Sequence, residues 1–215
     1  MFPVFSADNF HQLCNLLAEK DDDLAFILEQ YGYPPFWSRP NNFESLVHII
    51  LEQQVSLASA LAALNKLKAK IGEITPTKFL ELSTDELRAC YFSRQKTIYV
   101  RDLAEKLVSG RLDLLLLERF SDIEIRAQLK EVKGIGDWTV DIYLIFILHH
   151  TDVFPTGDLA AVNALKSLKR LPKETAKEDL LMRILHWKPY RTIGLMMLWH
   201  YYLEKRKPLK RRNNF

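Results

Sequence analysis

The feature that most constrains this chain is a tight corner formed by Gly134, Ile135 and Gly136 between two segments of helical pattern. Glycine tolerates positive φ and close backbone approach, so two glycines around one aliphatic residue predict a sharp turn. Where such a turn opens a helix, the first backbone N–H groups lack helical partners, and the positive end of the helix dipole lies behind them. The corner is therefore predicted to bind a phosphate group.

Helical signals continue along the chain from Asn42. Phe43, Leu46, Val47 and Ile50 recur on one helical face, and Asn42 is placed to cap that helix. Further N-caps are predicted at Ser56 and at the capping boxes that begin at Ser83, Ser121 and Thr175.

One apolar segment, residues 140–148, contains enough β-branched residues to resemble a strand. A cap at Asp137 and the length of the segment favour a buried helix instead. Because no persuasive alternation of period two occurs elsewhere, the predicted fold class is all-α.

The charge distribution, the cysteine count and the length of the apolar runs limit which class of protein this chain can be. The net charge is only +3, but residues 19–23 are acidic and residues 205–212 are strongly basic. A basic tail fits a polyanionic partner or, equally, a solubilising end. Cys14 and Cys90 are too few for a disulfide framework or a zinc site. The longest apolar run, residues 142–148, is too short to cross a bilayer, so we expect an intracellular protein.

Two strings around the corner carry a family resemblance. Gly134-Ile-Gly-Asp-Trp-Thr139, followed by Phe154-Pro-Thr-Gly-Asp158, resembles the helix-hairpin-helix DNA glycosylase superfamily, and most of all its 3-methyladenine DNA glycosylase II branch. The resemblance extends over residues 43–204. Its other matching segments are residues 46–56, residues 187–199, and residues 87–96, where Tyr91 stands in place of the usual glycine.

The resemblance implies a two-lobed helical fold with the active-site cleft between the lobes. Residues 43–150 would form a central helical lobe. This lobe includes the hairpin around Gly134–Gly136 and the wedge loop, the loop around Gln53 and Gln54 from which relatives insert a side chain into DNA. Residues 1–42 and 151–215 would together form the second lobe. The α/β domain that begins larger members of the branch has no room in this chain, so we expect a compact catalytic-core form.

Asp158 is the predicted catalytic residue. Cleavage of an N-glycosidic bond builds positive charge on the deoxyribose, which a carboxylate stabilises while it orients the attacking water. Asp158 follows Gly157 at the expected start of a helix, where backbone N–H groups would keep it ionised. A plain N-cap is the competing interpretation.

The base pocket is predicted from aromatic residues. Alkylation makes a purine cationic, and an indole face attracts a cation. The resemblance assigns Trp138 and Trp199 to this pocket, whereas aromatic residues on apolar helices are otherwise more often core. Weaker candidates are Tyr143, Phe154 and Trp187, with Tyr91 expected to narrow the pocket.

The phosphate-binding residues and the intercalating (wedge) residue are predicted in separate loops. Backbone N–H groups at Lys133, Gly134, Ile135 and Gly136 would hold a phosphate. The Lys133 and Lys96 side chains are candidates to add positive charge, although a single surface lysine more often has a plain solvated role. Gln54 aligns with the family's intercalating position, although either Gln53 or Gln54 would also suit a helix end. No metal bound by side chains is expected, but relatives hold a monovalent cation on the hairpin carbonyls.

The implied function is a monofunctional DNA glycosylase that acts as a monomer on damaged duplex DNA in base excision repair. It would flip and excise alkylated purines such as 3-methyladenine and 7-methylguanine. Trp138 stands where bifunctional relatives carry a Schiff-base lysine. Two cysteines cannot hold the four-cysteine iron–sulfur cluster of the endonuclease III relatives, so no cofactor is expected.

Two alternatives remain open for the function. One is a glycosylase for deaminated or oxidised bases, and the other is a non-catalytic helix-hairpin-helix module. The joint presence of Asp158, Trp138 and Trp199 argues against the second. The compartment would be the cytoplasm or nucleoid of a bacterium, or the nucleus of a eukaryote.

Overall fold

The computed structural model describes residues 4–206, which contain no β-strand, only an isolated antiparallel bridge between Val4 and His150. The all-α prediction is confirmed. In chain order the helices are α1 (Ala7–Ala18), α2 (Asp22–Tyr31), α3 (Phe43–Glu52), α4 (Leu57–Ile71), α5 (Pro76–Glu81), α6 (Thr84–Ala89), α7 (Arg94–Val108), α8 (Leu114–Leu117), α9 (Asp122–Lys130), α10 (Asp137–Phe146), α11 (Leu159–Leu168), α12 (Lys177–Arg183) and α13 (Arg191–Arg206), with a 3₁₀ turn at Leu185–Trp187. Of the predicted basic tail, residues 207–212 lie outside the described residues.

The chain divides into two compact units. The continuous unit is Ser38–Leu148 and contains α3 to α10. Within the described part of the chain, the discontinuous unit consists of residues 4–37 and 149–206 and contains α1, α2 and α11 to α13.

In the continuous unit, α3 is the central helix. Seven of its ten residues are buried, and it packs against α4, α7 and α10. A helix that is apolar on nearly all sides is stable only with neighbours on nearly all sides. Phe79 extends this core, with its ring centroid 5.9 Å from that of Phe43 and 5.6 Å from that of Phe92.

In the discontinuous unit, α13 has the same role. Its residues from Thr192 to Tyr201 are all buried, and it packs against α1, α2 and α11. Gly194 is required here because a Cβ at this position would lie 2.4 Å from Cε3 of the fully buried Trp187.

Most predicted caps are confirmed. Asn42 and Ser56 cap α3 and α4, and the capping boxes at Ser83 and Ser121 are both formed. Two predictions are wrong. Gly136, not Asp137, is the N-cap of α10, so Asp137 becomes its first residue. The predicted Thr175 box is absent because Ala176 precedes α12 and the Thr175 hydroxyl donates to the Pro172 carbonyl instead.

A buried carboxylate ties the discontinuous unit together. Asp21 caps α2 by accepting the Asp23 N–H at 3.0 Å. It also accepts hydrogen bonds from Lys169 Nζ at 2.9 Å and Trp187 Nε1 at 2.7 Å, and lies 2.8 Å from His186 Nε2. Burial alone would raise the pKa of Asp21, but these hydrogen bonds outweigh it and lower the pKa below its ordinary value.

We expect Asp21→Asn to lower the free energy of unfolding by about 2 kcal/mol at neutral pH, since hydrogen bonds to charged groups are lost. A carboxyl with a lowered folded pKa stabilises the fold above its unfolded pKa of about 3.9, and that contribution disappears as the pH falls through the folded pKa. Urea unfolding of both proteins should therefore show a difference that shrinks below about pH 4. Asp22→Asn, at an exposed neighbour, is the control; an unchanged difference between pH 7 and pH 3 would contradict the assignment.

No helix within residues 4–206 has both the length and the apolar composition needed to span a membrane.

Candidate active site

Asp158 lies at the N-terminus of α11, where its side chain accepts hydrogen bonds from a backbone N–H and an indole N–H. Oδ1 accepts the backbone N–H of Ala161 at 2.8 Å and the indole Nε1–H of Trp199 at 3.2 Å. The residue is therefore an N-cap, as the competing interpretation predicted, and it also contacts a predicted pocket residue. Because Asp158 is only partly buried, a ligand can approach it.

The loop that leads to Asp158 is fastened to the start of α13. The Thr192 N–H donates to Thr151 O at 2.9 Å, and the Thr192 hydroxyl donates to His150 O at 2.7 Å. Arg191 Nε contacts Asp152 Oδ1 at 2.6 Å. Trp199 lies about two turns further along α13. One helix thus positions both the loop before Asp158 and the indole that contacts it.

A second tryptophan lies beside Trp199. Trp37 packs edge-on against Trp199, with ring centroids 6.5 Å apart and an interplanar angle of 73°. Trp199 is only 9% exposed, whereas Trp37 is partly exposed. Trp37 was not among the predicted pocket residues, because Pro34 and Pro35 just before it indicate only the end of a helix.

The other predicted pocket residues are mostly core. Tyr143 is fully buried in the continuous unit and donates its hydroxyl to Asn41 Oδ1 at 2.9 Å; this burial raises its pKa. Trp187 is also fully buried, so neither side chain presents a surface to solvent in its own unit, and the pocket role of both stays a prediction. Phe154 is 8% exposed in the discontinuous unit. Trp138 is partly buried in the continuous unit, and its role remains a prediction.

Of the two corner glycines, Gly134 has the left-handed conformation, whereas Gly136 is extended. Gly134 has a φ of +79°, and a Cβ there would lie 2.1 Å from Cδ2 of Tyr99, so both conformation and space require glycine. The Lys133 N–H donates to Asp102 Oδ2 at 2.9 Å, and the Ile135 N–H donates to Val132 O at 3.1 Å.

Two of the four backbone N–H groups in the predicted phosphate site have no acceptor in the described part of the chain and can donate to a ligand. Within residues 4–206, the N–H groups of Gly134 and Gly136 have no intramolecular acceptor. Lys130 lies close by and contacts Asp137 Oδ1 at 2.9 Å, which lowers the pKa of Asp137. The Lys133 side chain is 68% exposed.

The predicted wedge loop joins α3 to α4. Gln54 is exposed and has a φ of +57°, whereas the Gln53 side chain is bonded to the hairpin. Lys96, predicted to add charge at the phosphate, is partly buried instead and donates to the carbonyl of Leu51 at the end of α3. Its burial lowers its pKa.

Comparison with known proteins identifies the family. Residues 47–189 match the model of the HhH-GPD superfamily of base excision DNA repair proteins. The chain belongs to this superfamily. It is 34% identical over 161 residues to DNA-3-methyladenine glycosylase 1 of Schizosaccharomyces pombe, covering 73% of this chain and 71% of the relative. A putative DNA-3-methyladenine glycosylase of Bacillus subtilis is 28% identical, over 82% of this chain and 64% of its own length.

Solved structures of this superfamily have the same fold. A 3-methyladenine DNA glycosylase of Schizosaccharomyces pombe in complex with abasic DNA superposes with a TM-score of 0.80 and 31% identity, over 87% of this chain and 95% of that one. A DNA-3-methyladenine glycosidase of Bacillus halodurans gives a TM-score of 0.74 and 29% identity, over 95% of both chains.

Tyr91, which the sequence resemblance places at a glycine position, has a left-handed backbone conformation that glycine adopts freely. Its φ is +66°, a strained value for a bulky residue. The ring is 62% exposed and lies 5.2 Å from Lys66 Nζ. Tyr91 therefore occupies the surface of the continuous unit beside Lys66.

Side chains offer no metal site in the described part of the chain, since no group of three or more His, Cys, Asp or Glu residues comes together there.

Proposed function

We infer that this protein is a monofunctional DNA glycosylase that excises alkylated purines, of the 3-methyladenine and 7-methylguanine type, from duplex DNA. It hydrolyses the N-glycosidic bond and leaves an abasic site for base excision repair. The observation that carries this inference is the Asp158 carboxylate, held by the Ala161 N–H and the Trp199 indole in a chain of this superfamily. The named glycosylases among its relatives support it.

Asp158 would act on the sugar. As the C1′–N bond breaks, the base leaves with the bonding electrons and positive charge develops on the deoxyribose. A fixed carboxylate stabilises that charge and orients a water, whose oxygen bonds to C1′ while one of its protons passes to the carboxylate or to solvent. A cationic base leaves as a neutral molecule, so the reaction needs no general acid to protonate it. This requirement favours alkylated purines over neutral lesions.

Trp199, bonded to Asp158, and Trp37, packed against Trp199, would supply the aromatic surface for the base. Stacking with a cationic purine gains a cation–π contribution that the neutral parent base does not. Since Trp199 is largely buried and bonded to Asp158, we propose that Trp37 presents more of the stacking surface. Trp199 then mainly orients the carboxylate.

The continuous unit would handle the DNA backbone and the base stack. The N–H groups of Gly134 and Gly136 would donate to a phosphate, which positions the duplex without sequence preference. Gln54 would fill the gap that a flipped nucleotide leaves. A monovalent cation would use hairpin carbonyls such as those of Val132 and Gly134, each of which already accepts one hydrogen bond and keeps a second lone pair.

An enzyme with this substrate works where DNA is, inside the cell. The nucleoid or the nucleus is the corresponding compartment, depending on the organism.

The test is excision from a panel of duplexes that each carry one lesion: 7-methylguanine, 3-methyladenine, hypoxanthine, uracil or 8-oxoguanine. We expect base release from the first two, intact strands until alkali is added, and no borohydride-trapped adduct, because Trp138 replaces the lysine nucleophile. Preferred release of uracil or 8-oxoguanine would favour the alternative glycosylase. A trapped adduct would contradict the monofunctional assignment, and binding without any release would indicate a non-catalytic module.

A further inference from the structure

Gln53 connects the wedge loop to the hairpin inside the continuous unit. Its side-chain Nε2 lies 2.9 Å from the Gly134 carbonyl and 2.9 Å from the Thr139 hydroxyl. The first partner belongs to the glycine corner and the second to the first turn of α10. An amide nitrogen carries two N–H donors, so both are used on the hairpin.

The helix that carries Gln53 is itself fixed. Gln53 is the C-cap residue of α3, and the preceding Glu52 forms two hydrogen bonds with Arg39, at 2.6 and 3.0 Å. The Leu51 carbonyl accepts a hydrogen bond from Lys96. These contacts stop at Gln53, and the next residue, Gln54, is exposed with a φ of +57°.

The positive φ makes the Gln53 contacts important for the placement of Gln54. An L-residue other than glycine, asparagine or aspartate rarely occupies this conformation, and surrounding structure must hold it there. The short side chain of asparagine can hydrogen-bond to the nearby backbone in this conformation, whereas glutamine lacks this local stabilisation. Gln53, the residue directly before Gln54, is hydrogen-bonded to the hairpin through its side-chain amide and so holds the backbone on the N-terminal side of Gln54.

We propose that Gln53 is a positioning residue that fixes Gln54 relative to the hairpin, so that phosphate binding and base extrusion occur in register. The Gly134 carbonyl that Gln53 contacts belongs to the corner whose N–H groups are proposed to grip the phosphate. This inference rests on the proposed function, because it assigns Gln54 and the hairpin to one extrusion step.

Gln53→Met tests the proposal, since methionine keeps the length of the side chain and removes both donors. We expect single-turnover excision of 7-methylguanine paired with cytosine to fall about tenfold, the effect of two hydrogen bonds of roughly 0.7 kcal/mol each. Excision of the same lesion opposite an abasic-site analogue should change less than about twofold, because an unpaired base needs little help to leave the stack. Equal loss on both duplexes would overturn the proposal, since misfolding or weaker DNA binding affects both.

Three further variants sharpen the result. Thr139→Val should reproduce part of the loss and Thr139→Ser should restore it, because serine keeps the hydroxyl. The double variant Gln53→Met/Gln54→Ala should excise the paired lesion at the same rate as Gln54→Ala alone. Additive losses of excision rate would contradict an action of Gln53 through Gln54. Gln12→Met, at an exposed site in the discontinuous unit, is the matched control.

A readout without catalysis separates this inference from the proposed function. The fluorescence of 2-aminopurine next to the target base reports extrusion, and affinity for abasic DNA reports the phosphate grip. We expect Gln53→Met to lower the fluorescence change and to leave abasic-DNA affinity within about twofold. An unchanged fluorescence response would overturn the role of Gln53. Absence of base release by the unmutated protein would overturn the proposed function alone.

Discussion

Asp158→Asn is expected to lower single-turnover excision of 7-methylguanine by about 10²- to 10³-fold, the usual effect of removing one electrostatic group that stabilises the transition state. Asparagine is nearly isosteric, and its side-chain oxygen still accepts the Ala161 N–H that caps α11. The variant therefore keeps the helix start and loses the negative charge opposite the developing oxocarbenium ion. Product release should be followed in excess enzyme, so that the chemical step is measured.

Two controls accompany this variant. Asp179→Asn removes a charge from an exposed position in α12, in the same unit, and should excise normally. Affinity of Asp158→Asn for DNA with an abasic-site analogue should remain within a few-fold of the unmutated protein, because the hairpin and wedge are unchanged. Turnover near the normal rate would overturn the catalytic assignment and leave Asp158 as an N-cap.

Local signals explain why much of the fold was predictable from the sequence. The capping boxes at Ser83 and Ser121 formed because a hydroxyl and a glutamate three residues later complete each other within one turn. The predicted Thr175 box is absent for a reason that is also local, because the Thr175 hydroxyl donates to the Pro172 carbonyl instead. Asp137 was misplaced by one residue because Gly136 also suits an N-cap.

The candidate site was less predictable because it depends on contacts between distant residues. Asp158 was expected at a helix start from neighbouring residues alone, and it lies there. Its bond to Trp199 and the packing of Trp37 on Trp199 join segments far apart in sequence. Tyr143 and Trp187 are the opposite case: residue type suggested a pocket, whereas the structure shows their polar atoms bonded to Asn41 and Asp21 in the core.

Trp199, which is bonded to Asp158, and Trp37, which packs against Trp199, lead to the last prediction, which separates orientation of the carboxylate from stacking of the base. Trp199→Phe keeps an aromatic ring and removes the Nε1–H that donates to Asp158. The lost hydrogen bond to a charged group is worth about 1.5 kcal/mol or more, so excision should fall roughly tenfold or more. The loss should be equal on cationic 7-methylguanine and neutral hypoxanthine, because both reactions use the same carboxylate.

Trp37→Leu should behave differently. It removes an electron-rich face and keeps apolar bulk, so the loss on 7-methylguanine should exceed that on hypoxanthine by about 0.5–2 kcal/mol. This difference corresponds to a change in relative rate of about two- to thirtyfold. Unfolding midpoints of both variants must be measured beside the rates, because replacing a packed tryptophan also destabilises a fold.

The comparison of the two variants decides which indole discriminates. A selective loss in Trp37→Leu with a uniform loss in Trp199→Phe is the expected pattern, since Trp199 is the less exposed ring and the one bonded to Asp158. A selective loss in Trp199→Phe, with Trp37→Leu uniform, would return the stacking role to Trp199. Uniform losses in both would mean that neither ring recognises the charge of the base, and the preference for alkylated purines would then rest on leaving-group chemistry alone.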